Sequence, residues 1–167
     1  MKKITVIKNI SKIICYLKYQ VQKNLKILVI QIYASTADAE DVDREKFYDD
    51  LEKLIIEERE YFMVVMGDWN AKVGEDRRDS RVVGEFGLRK RNKAGDRLVE
   101  FAVKNKLKIA NTFFFKNPNQ KVTWTSPDGR TKNEIDHLLT NDLGPIDDIS
   151  TLSNFDYPSD HKISRSS

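Results

Sequence analysis

Polar and ionisable side chains stand in four short clusters, each where a strand is expected to end. The clusters are Tyr33, Asp68 with Asn70, Asp136 with His137, and Asp160 with His161. An imidazole titrates near neutral pH, so it can take a proton from water, and carboxylate oxygens suit a hard cation. Because the strand ends of α/β proteins are where sites collect, these residue types predict a site for acid–base chemistry.

Each cluster alone also fits a purely structural role. Tyr33 fits an amphipathic residue at a strand end, and Asp68 with Asn70 fits a turn after a strand. Asp136 fits a strand cap, and the pair Asp160–His161 fits an ordinary loop. The functional interpretation therefore depends on all four clusters occurring together in this order.

Alternating apolar runs and helical patterns must position these clusters. Residues 26–33 and 61–66 are short β-branched or apolar runs, typical of strands buried on both faces. Between them, apolar residues recur every three or four positions from Asp41 to Arg59, which predicts an amphipathic helix. Residues 34–39 are predicted to be a loop.

The second half continues the alternation. Residues 74–94 predict a long surface excursion, residues 97–105 a helix and residues 107–110 a strand. Two further strands are predicted at 122–126 and 134–140, joined as a hairpin by the turn Pro127-Asp128-Gly129. This pattern favours an α/β fold with a mixed sheet.

Composition limits the function classes. With 167 residues and 40% hydrophobic content, the chain predicts one domain with its own core. A net charge of +3 excludes a strongly cationic nucleic-acid coat, and the single cysteine, Cys15, excludes a disulfide framework. We expect no signal peptide, no membrane partner and an intracellular location, in the nucleus or cytoplasm, because lysines interrupt the apolar residues of the N-terminus.

The four motifs resemble the successive signatures of the exonuclease-endonuclease-phosphatase superfamily, which includes DNase-I-like enzymes. They are Y-A-S-T at 33–36, G-D-W-N at 67–70, I-D-H at 135–137 and S-D-H at 159–161. Within it, N-K-A-G at 92–95, I-A-N-T at 109–112 and T-W-T-S-P-D-G at 123–129 are similar to endonucleases of non-LTR retrotransposons and to the craniofacial-development-protein-2-like genes derived from them. The resemblance implies a partial four-layer α/β sandwich, with two mixed sheets flanked by helices and with the N-terminal strands missing.

The resemblance also implies roles in phosphodiester hydrolysis. His161 would be the general base, and Asp136 would hold its other ring nitrogen. Asp68 and Asn70 would orient the attacking water and the phosphate, and Tyr33 would donate to a phosphate oxygen. Asp160 would bind the metal ion, Mg²⁺ with Mn²⁺ as the alternative, and no organic cofactor is implied.

DNA is the partner that the resemblance implies. The candidate phosphate contacts are the basic residues Arg77, Arg78, Arg89, Arg91 and Lys93. Trp124 could stack on a base, although a core position is its structural alternative. His137 stands where many relatives have tyrosine, and we expect it to be a structural strand residue.

The chain departs from the family pattern at both ends. The family's metal-binding glutamate lies well upstream of the tyrosine motif, yet there is no acid before Asp38. Asn9 lies too close to Tyr33 to be the family's first-strand asparagine. We therefore expect residues 1–25 to be a divergent lysine-rich segment and residues 26–167 to be the endonuclease-like domain. Ser35 replaces the family's proline, and only a remnant of the strand after His161 is expected, which would leave His161 weakly held.

Three functions follow from these observations. The leading hypothesis is a Mg²⁺-dependent endonuclease that nicks DNA, with weak or lost activity because the glutamate is absent. A second is a silent nucleic-acid-binding or interaction module. A third keeps the fold but acts on RNA or a phosphoinositide, which the similarity at residues 92–111 disfavours.

Overall fold

The computed structural model describes residues 2–35, 40–75, 79–152, 159–162 and 164–167. These residues form ten strands, three α-helices and a 3₁₀ turn at Ala110–Thr112. The strands are β1 Lys3–Asn9, β2 Ile14–Gln22, β3 Leu25–Tyr33, β4 Phe62–Asp68, β5 Lys108–Ile109, β6 Trp124–Thr125, β7 Lys132–Asn133, β8 Asp136–Thr140, β9 Ile149–Thr151 and β10 Ser164–Ser166. The helices are α1 Asp41–Glu58, α2 Lys93–Asn105 and α3 Pro118–Lys121. None of these helices is long and apolar enough to cross a membrane.

A six-stranded mixed sheet is the centre of the fold. Its order is β1-β2-β3-β4-β8-β5, and β3 pairs with β4 in parallel while the other neighbours are antiparallel. Helix α1 connects the two parallel strands, as such a connection requires. The predicted α/β class and mixed sheet are confirmed. The other strands form two antiparallel pairs, β6 with β7 and β9 with β10.

The N-terminal segment contributes two strands to this sheet. Strands β1 and β2 pair with each other, and β2 pairs with β3 along its whole length. The boundary predicted after residue 25 therefore lies inside a continuous meander of three strands. Strand β2 belongs to this sheet because its side chains alternate in burial with a two-residue period. Ile14 and Tyr16 are buried, and Cys15 and Leu17 are only half-buried.

Helices α1 and α2 cover one face of the sheet. Helix α1 buries Phe47, Leu51, Leu54 and Ile55, and α2 buries residues that include Leu98. Both helices follow a period of three and four residues, which turns one apolar stripe toward the sheet. Most of the apolar core lies between these helices and the sheet.

The opposite face of the sheet is less covered. In β4, Met63 and Val65 are fully buried beneath the helices, whereas Phe62 and Val64 are half-buried and Met66 is 38% exposed. The prediction that this strand is buried on both faces is therefore wrong. A smaller apolar cluster covers part of this face, and it contains Ala110, Leu138, Ile146 and Ile149.

Two predictions for residues 74–105 are corrected. The excursion at 74–94 is not confined to the surface, because Val82 and Val83 are buried in the core. Helix α2 begins at Lys93 because the Asn92 side chain caps it by accepting from the Gly95 amide at 2.8 Å.

The predicted C-terminal hairpin also differs. The turn at residues 127–129 joins β6 to the short strand β7. Strand β8 leaves this hairpin and pairs with β4 and β5 in the main sheet. This shift of partner pairs Asp136 with Asp68 at the end of β4.

Candidate catalytic and metal site

Strand register aligns three of the candidate residues in one row. Tyr33 at the end of β3 is paired with Asp68 at the end of β4, and Asp68 is paired with Asp136 at the start of β8. Two backbone hydrogen bonds continue the alignment, from Ala34 N to Asp68 O and from Trp69 N to Ile135 O. Since adjacent strands lie roughly 4.8 Å apart, the register alone brings these side chains to one edge of the sheet.

Gly67 makes this close alignment possible. Its φ is +143°, and an added Cβ would lie 1.9 Å from the carbonyl oxygen of Ile32. A side chain at residue 67 would therefore force β3 and β4 apart directly beside Tyr33 and Asp68. The G-D-W-N motif therefore needs glycine at residue 67, because a larger residue would prevent β3 and β4 from packing together at the site.

His161 is held by backbone contacts with the β6 segment. Thr125 N donates to Asp160 O at 3.0 Å, and Lys162 N donates to Thr123 O at 2.7 Å. The chain then continues as β10, which pairs with β9. Contrary to the expected weak anchoring, the backbone on both sides of His161 is bonded to the β6 segment, and a strand, β10, follows.

The imidazole of His161 lies between two carboxylates. Its Nδ1 is 3.0 Å from Asp136 Oδ2, and its Nε2 is 3.7 Å from Asp68 Oδ2. Asp68 is buried, and burial is the main cause that raises the pKa of its carboxyl, with the charge of Asp136 adding to it. The backbone N–H of Asn70, which donates to Asp68 Oδ1 at 2.8 Å, opposes this rise.

These three groups also fit a metal ion. Asp68, Asp136 and His161 each offer one ligand atom, and the three atoms lie within 4.8 Å of one another. Burial is the main cause of the raised pKa of the Asp68 carboxyl, and the negative charge of Asp136 adds to it; a bound cation would relieve that added repulsion. The divalent metal ion that the sequence resemblance implies would therefore find ligand atoms here.

Asp160, the predicted metal ligand, is not in this group. Its Oδ2 accepts a hydrogen bond from the Trp124 indole Nε1 at 2.9 Å, on the exposed side of the loop. The structure brings Asp136, rather than Asp160, together with Asp68 and His161. Trp124 is half-buried and outside the core clusters, so its ring remains partly accessible.

Asn70 lies close to the row but faces a second cavity. It adopts a left-handed backbone with φ of 48°, a conformation that asparagine tolerates. Its side-chain nitrogen donates to Ala34 O at 2.8 Å, so it ties the segment after β4 to the end of β3. It lines the cavity next to Lys93, on the α1 and α2 side.

The predicted phosphate contacts are not equivalent. Arg77 and Arg78 lie outside the described residues. Arg89 and Lys93 are exposed. The Arg91 side chain is only 6% exposed, because its Nη1 lies near Asp79 and Asp96 and its Nε donates to Val73 O. Arg91 therefore secures the loop before α2 and is not open to a ligand.

His137 is a structural residue, as expected. It is buried, and its Nε2 lies 2.8 Å from Ala71 O. Burial lowers the pKa of this imidazole to about 4, so it is neutral near pH 7. Its backbone carbonyl accepts from the Trp69 indole at 3.0 Å, which fixes the segment after β4 against β8.

The site opens into a cleft of about 720 Å³, which we call the strand-end cleft. Tyr33, Asp68, Asp136 and His161 line it, together with residues that the sequence did not indicate. The latter come mainly from the β1–β2 turn and include Asn9, Ser11 and Lys12. Asn9 thus lies at the site although its spacing from Tyr33 argued against this, because β1 and β2 fold back as a hairpin.

A protein-family model described as Endonuclease-reverse transcriptase matches residues 27–165. Craniofacial development protein 2 from Bos taurus is 39% identical over 144 residues, which are 84% of this chain and 24% of that protein. The chain therefore spans about a quarter of the length of this curated relative.

Solved structures show the same fold at low identity. The 3′ phosphatase NExo from Neisseria, bound to a product DNA hairpin, has a TM-score of 0.67 at 14% identity, over 95% of this chain and 65% of that one. The endonuclease domain of TRAS1, a telomere-specific non-LTR retrotransposon, has a TM-score of 0.65 at 15% identity, over 95% and 64%.

Proposed function

The chain belongs to the endonuclease-reverse transcriptase family and has the exonuclease-endonuclease-phosphatase fold, and on this premise we propose that it is a Mg²⁺-dependent endonuclease that nicks DNA. Solved structures of this fold include ones bound to DNA, such as NExo with its product DNA hairpin. The observation that carries the proposal is the position of the His161 imidazole between the carboxylates of Asp136 and Asp68, at the edge of an open cleft.

His161 is the proposed general base. With its Nδ1–H donated to Asp136, the unprotonated Nε2 can accept a proton from water. The 3.7 Å to Asp68 is too long for a direct hydrogen bond, so Nε2 stays available to that water. Asp136 holds the required tautomer and stabilises the cation that proton transfer creates.

The other residues of the row orient the reactants. The Asp68 carboxylate would accept from the attacking water and align it with the phosphorus. Tyr33, 54% exposed at the end of β3, would donate its hydroxyl to a non-bridging phosphate oxygen. Asn70 would support this geometry through its bond to Ala34 O, which keeps the ends of β3 and β4 together.

Asp68 and Asp136 are the residues that would hold Mg²⁺. When bound, the ion would supply positive charge to the phosphate oxygens on which negative charge builds. Among the described residues that line the cleft, β1–β3 contribute no carboxylate. We therefore propose that the ion is held weakly and that the rate of hydrolysis is low.

A plasmid-nicking assay tests this function. Supercoiled DNA is incubated with the full chain and Mg²⁺, with and without chelator, beside His161→Ala purified in parallel. We expect slow nicking that chelator stops and that the variant loses. Nicking that persists in His161→Ala would contradict the proposed role of the imidazole, and substitution of Mn²⁺ for Mg²⁺ would compare the two metals.

A silent nucleic-acid-binding module is the second candidate. It is favoured by the same lack of a carboxylate from β1–β3 in the cleft. If the wild-type chain binds DNA and gives no nicks at any protein concentration, this second function replaces the first.

A further inference from the structure

The β1–β2 turn lies level with the catalytic row. Ile14 on β2 is paired with Ile32 on β3, and Ile32 is paired with Gly67 on β4. The residues just before Ile14 therefore stand beside Tyr33 and Asp68, one position further along the strands. A backbone hydrogen bond shows this directly, since Tyr33 N donates to Ile13 O at 2.9 Å.

The turn itself is well ordered by internal hydrogen bonds. Ile10 N and Ser11 N both donate to Ile14 O, at 2.9 and 3.2 Å. Ile13 N donates to Ser11 Oγ at 3.2 Å. Lys12 lies between these bonded residues, so the position of its backbone relative to Tyr33 is fixed.

Lys12 brings a positive charge to a cleft that needs one. Among the described residues that line the strand-end cleft, Lys12 is the sole lysine or arginine, and the carboxylates that line the same cleft are Asp68 and Asp136. Its side chain is exposed, and no described carboxylate forms an ion pair with it. By contrast, Lys18 further along β2 is bound by Glu58 and Glu60, both at 2.9 Å.

We propose that Lys12 binds a phosphate that flanks the scissile one in the nucleic-acid strand. This inference rests on the proposed function and adds a substrate contact to it. Three strand spacings separate β2 from β8, roughly 14 Å, which is further than a lysine side chain reaches. Lys12 therefore contacts the nucleic-acid strand on the side of Tyr33 that faces away from Asp136 and His161. Because it does not touch the scissile phosphate, it binds the substrate equally in the ground state and the transition state.

Binding in the absence of metal tests the contact separately from catalysis. A short duplex DNA is titrated with wild type, Lys12→Gln and Lys12→Arg in chelator, at several salt concentrations. Loss of one phosphate contact should reduce the slope of log K against log salt by about 0.9, which weakens binding about eightfold at 0.1 M salt. Lys12→Arg should keep the wild-type slope.

Lys23 provides a matched control. It is an exposed lysine in the turn at the other end of β2, between Gln22 and Leu25. Lys23→Gln removes the same charge from the opposite end of β2 in the same three-stranded meander, so an equal loss of slope in both variants would overturn the proposal. Thermal unfolding of each variant verifies that the sheet is intact.

Nicking kinetics separate this proposal from the function on which it rests. We expect Lys12→Gln to raise KM and to leave kcat within about twofold, as for a contact made equally in both states. Wild-type binding without nicking, with a reduced slope in Lys12→Gln, would retain the Lys12 contact and reject the nuclease. Nicking with an unchanged slope in Lys12→Gln would reject the Lys12 contact alone, and no DNA binding by wild type would reject both.

Discussion

Two pairs of ionisable groups, built on the acids Glu134 and Asp136 of neighbouring sequence positions, differ in their exposure to water. Glu134 and Lys121 form a closed pair, 5% and 6% exposed, with 3.7 Å between Oε1 and Nζ. Asp136 and His161 form an open pair at the cleft, 21% and 31% exposed, with 3.0 Å between Oδ2 and Nδ1. We call them the closed pair and the open pair.

The closed pair supports the backbone that carries the open pair. Lys121 Nζ donates to Asn111 O at 2.7 Å. The Asn111 side chain in turn donates to Asp136 O and accepts from Leu138 N. Burial raises the pKa of Glu134 to about 7 against the lowering effect of Lys121, and burial lowers the pKa of Lys121. The comparison shows that an acid–base pair stabilises the fold where it is buried from water, as in the closed pair. A pair that is exposed to water, as in the open pair, is available for chemistry.

The largest effect is expected from the open pair. Asp136→Asn replaces the carboxylate that fixes the His161 tautomer by a neutral amide, whose NH₂ can donate to Nδ1 and favour the wrong tautomer, so nicking should fall by about 10²- to 10⁴-fold. The midpoint of thermal unfolding should change little, because Asp136 is partly exposed. A nicking rate within threefold of wild type would show that the tautomer is not what limits the reaction.

The closed pair should behave in the opposite way. Lys121→Met leaves the Glu134 carboxyl buried without its partner, so the free energy of unfolding should fall by about 3–5 kcal/mol. Urea unfolding measures this change. The double variant Lys121→Met with Glu134→Leu should recover most of the loss, and equal instability of both variants would indicate that packing rather than charge is responsible.

The pH dependence of stability sharpens the comparison further. Glu134, with its pKa raised from 4.5 to about 7, keeps a proton that the unfolded chain loses, so its contribution to stability falls as pH rises from about 4.5 to 7. His137, with its pKa lowered from 6.5 to about 4, has the reverse sign, because the unfolded chain binds the extra proton. Its contribution rises as pH rises from about 4 to 6.5.

The changes in the free energy of unfolding with pH that Glu134 and His137 cause oppose each other in the wild type. Variants that remove one of the two groups should show the effect of the other alone. In His137→Gln, the free energy of unfolding should fall with pH across the Glu134 window, by up to about 3 kcal/mol. In Glu134→Gln, it should rise with pH across the His137 window by a similar amount. Urea unfolding at a series of pH values measures both, and parallel slopes in the two variants would refute the assignment.

The smallest effect is expected at the rim of the open pair. Trp124→Phe removes the indole donor to Asp160 but keeps an aromatic ring, so stability should fall by only about 1 kcal/mol. Nicking should decrease less than tenfold, since the backbone bonds of residues 123 and 125 still hold the His161 loop. A loss as large as that of Asp136→Asn would show that Asp160 acts in the reaction.

Local patterns predicted the parts of the fold whose burial is periodic. Helix α1 and strands β3 and β4 lie close to their predicted spans, because each has a continuous apolar face. Tyr33, Asp68, Asp136 and His161 were also predicted as site residues, and all four line one cleft in the structure.

The remaining differences depend on contacts between distant residues. Strands β1 and β2 were not predicted, because their many lysines obscure the two-residue alternation of apolar side chains. Pairing of β2 with β3 determines which side of β2 is buried. The sequence of a basic cluster does not indicate which of its side chains are buried. The buried Arg91 could therefore not be distinguished from the exposed Arg89. Likewise, the choice between Asp136 and Asp160 beside Asp68 depends on the contact of Trp124 with Asp160, 36 residues apart.

The attachment of the His161 loop to Trp124 gives this protein an internal optical reporter. The chain has two tryptophans, and Trp69 is 2% exposed inside the core, where its emission should be insensitive to events at the cleft. Trp124 is half-buried and bonded to Asp160, next to His161, so its emission should shift when the loop moves or when an anion occupies the cleft. Fluorescence of the unlabelled chain can therefore follow this loop in real time, with Trp69 as a constant background.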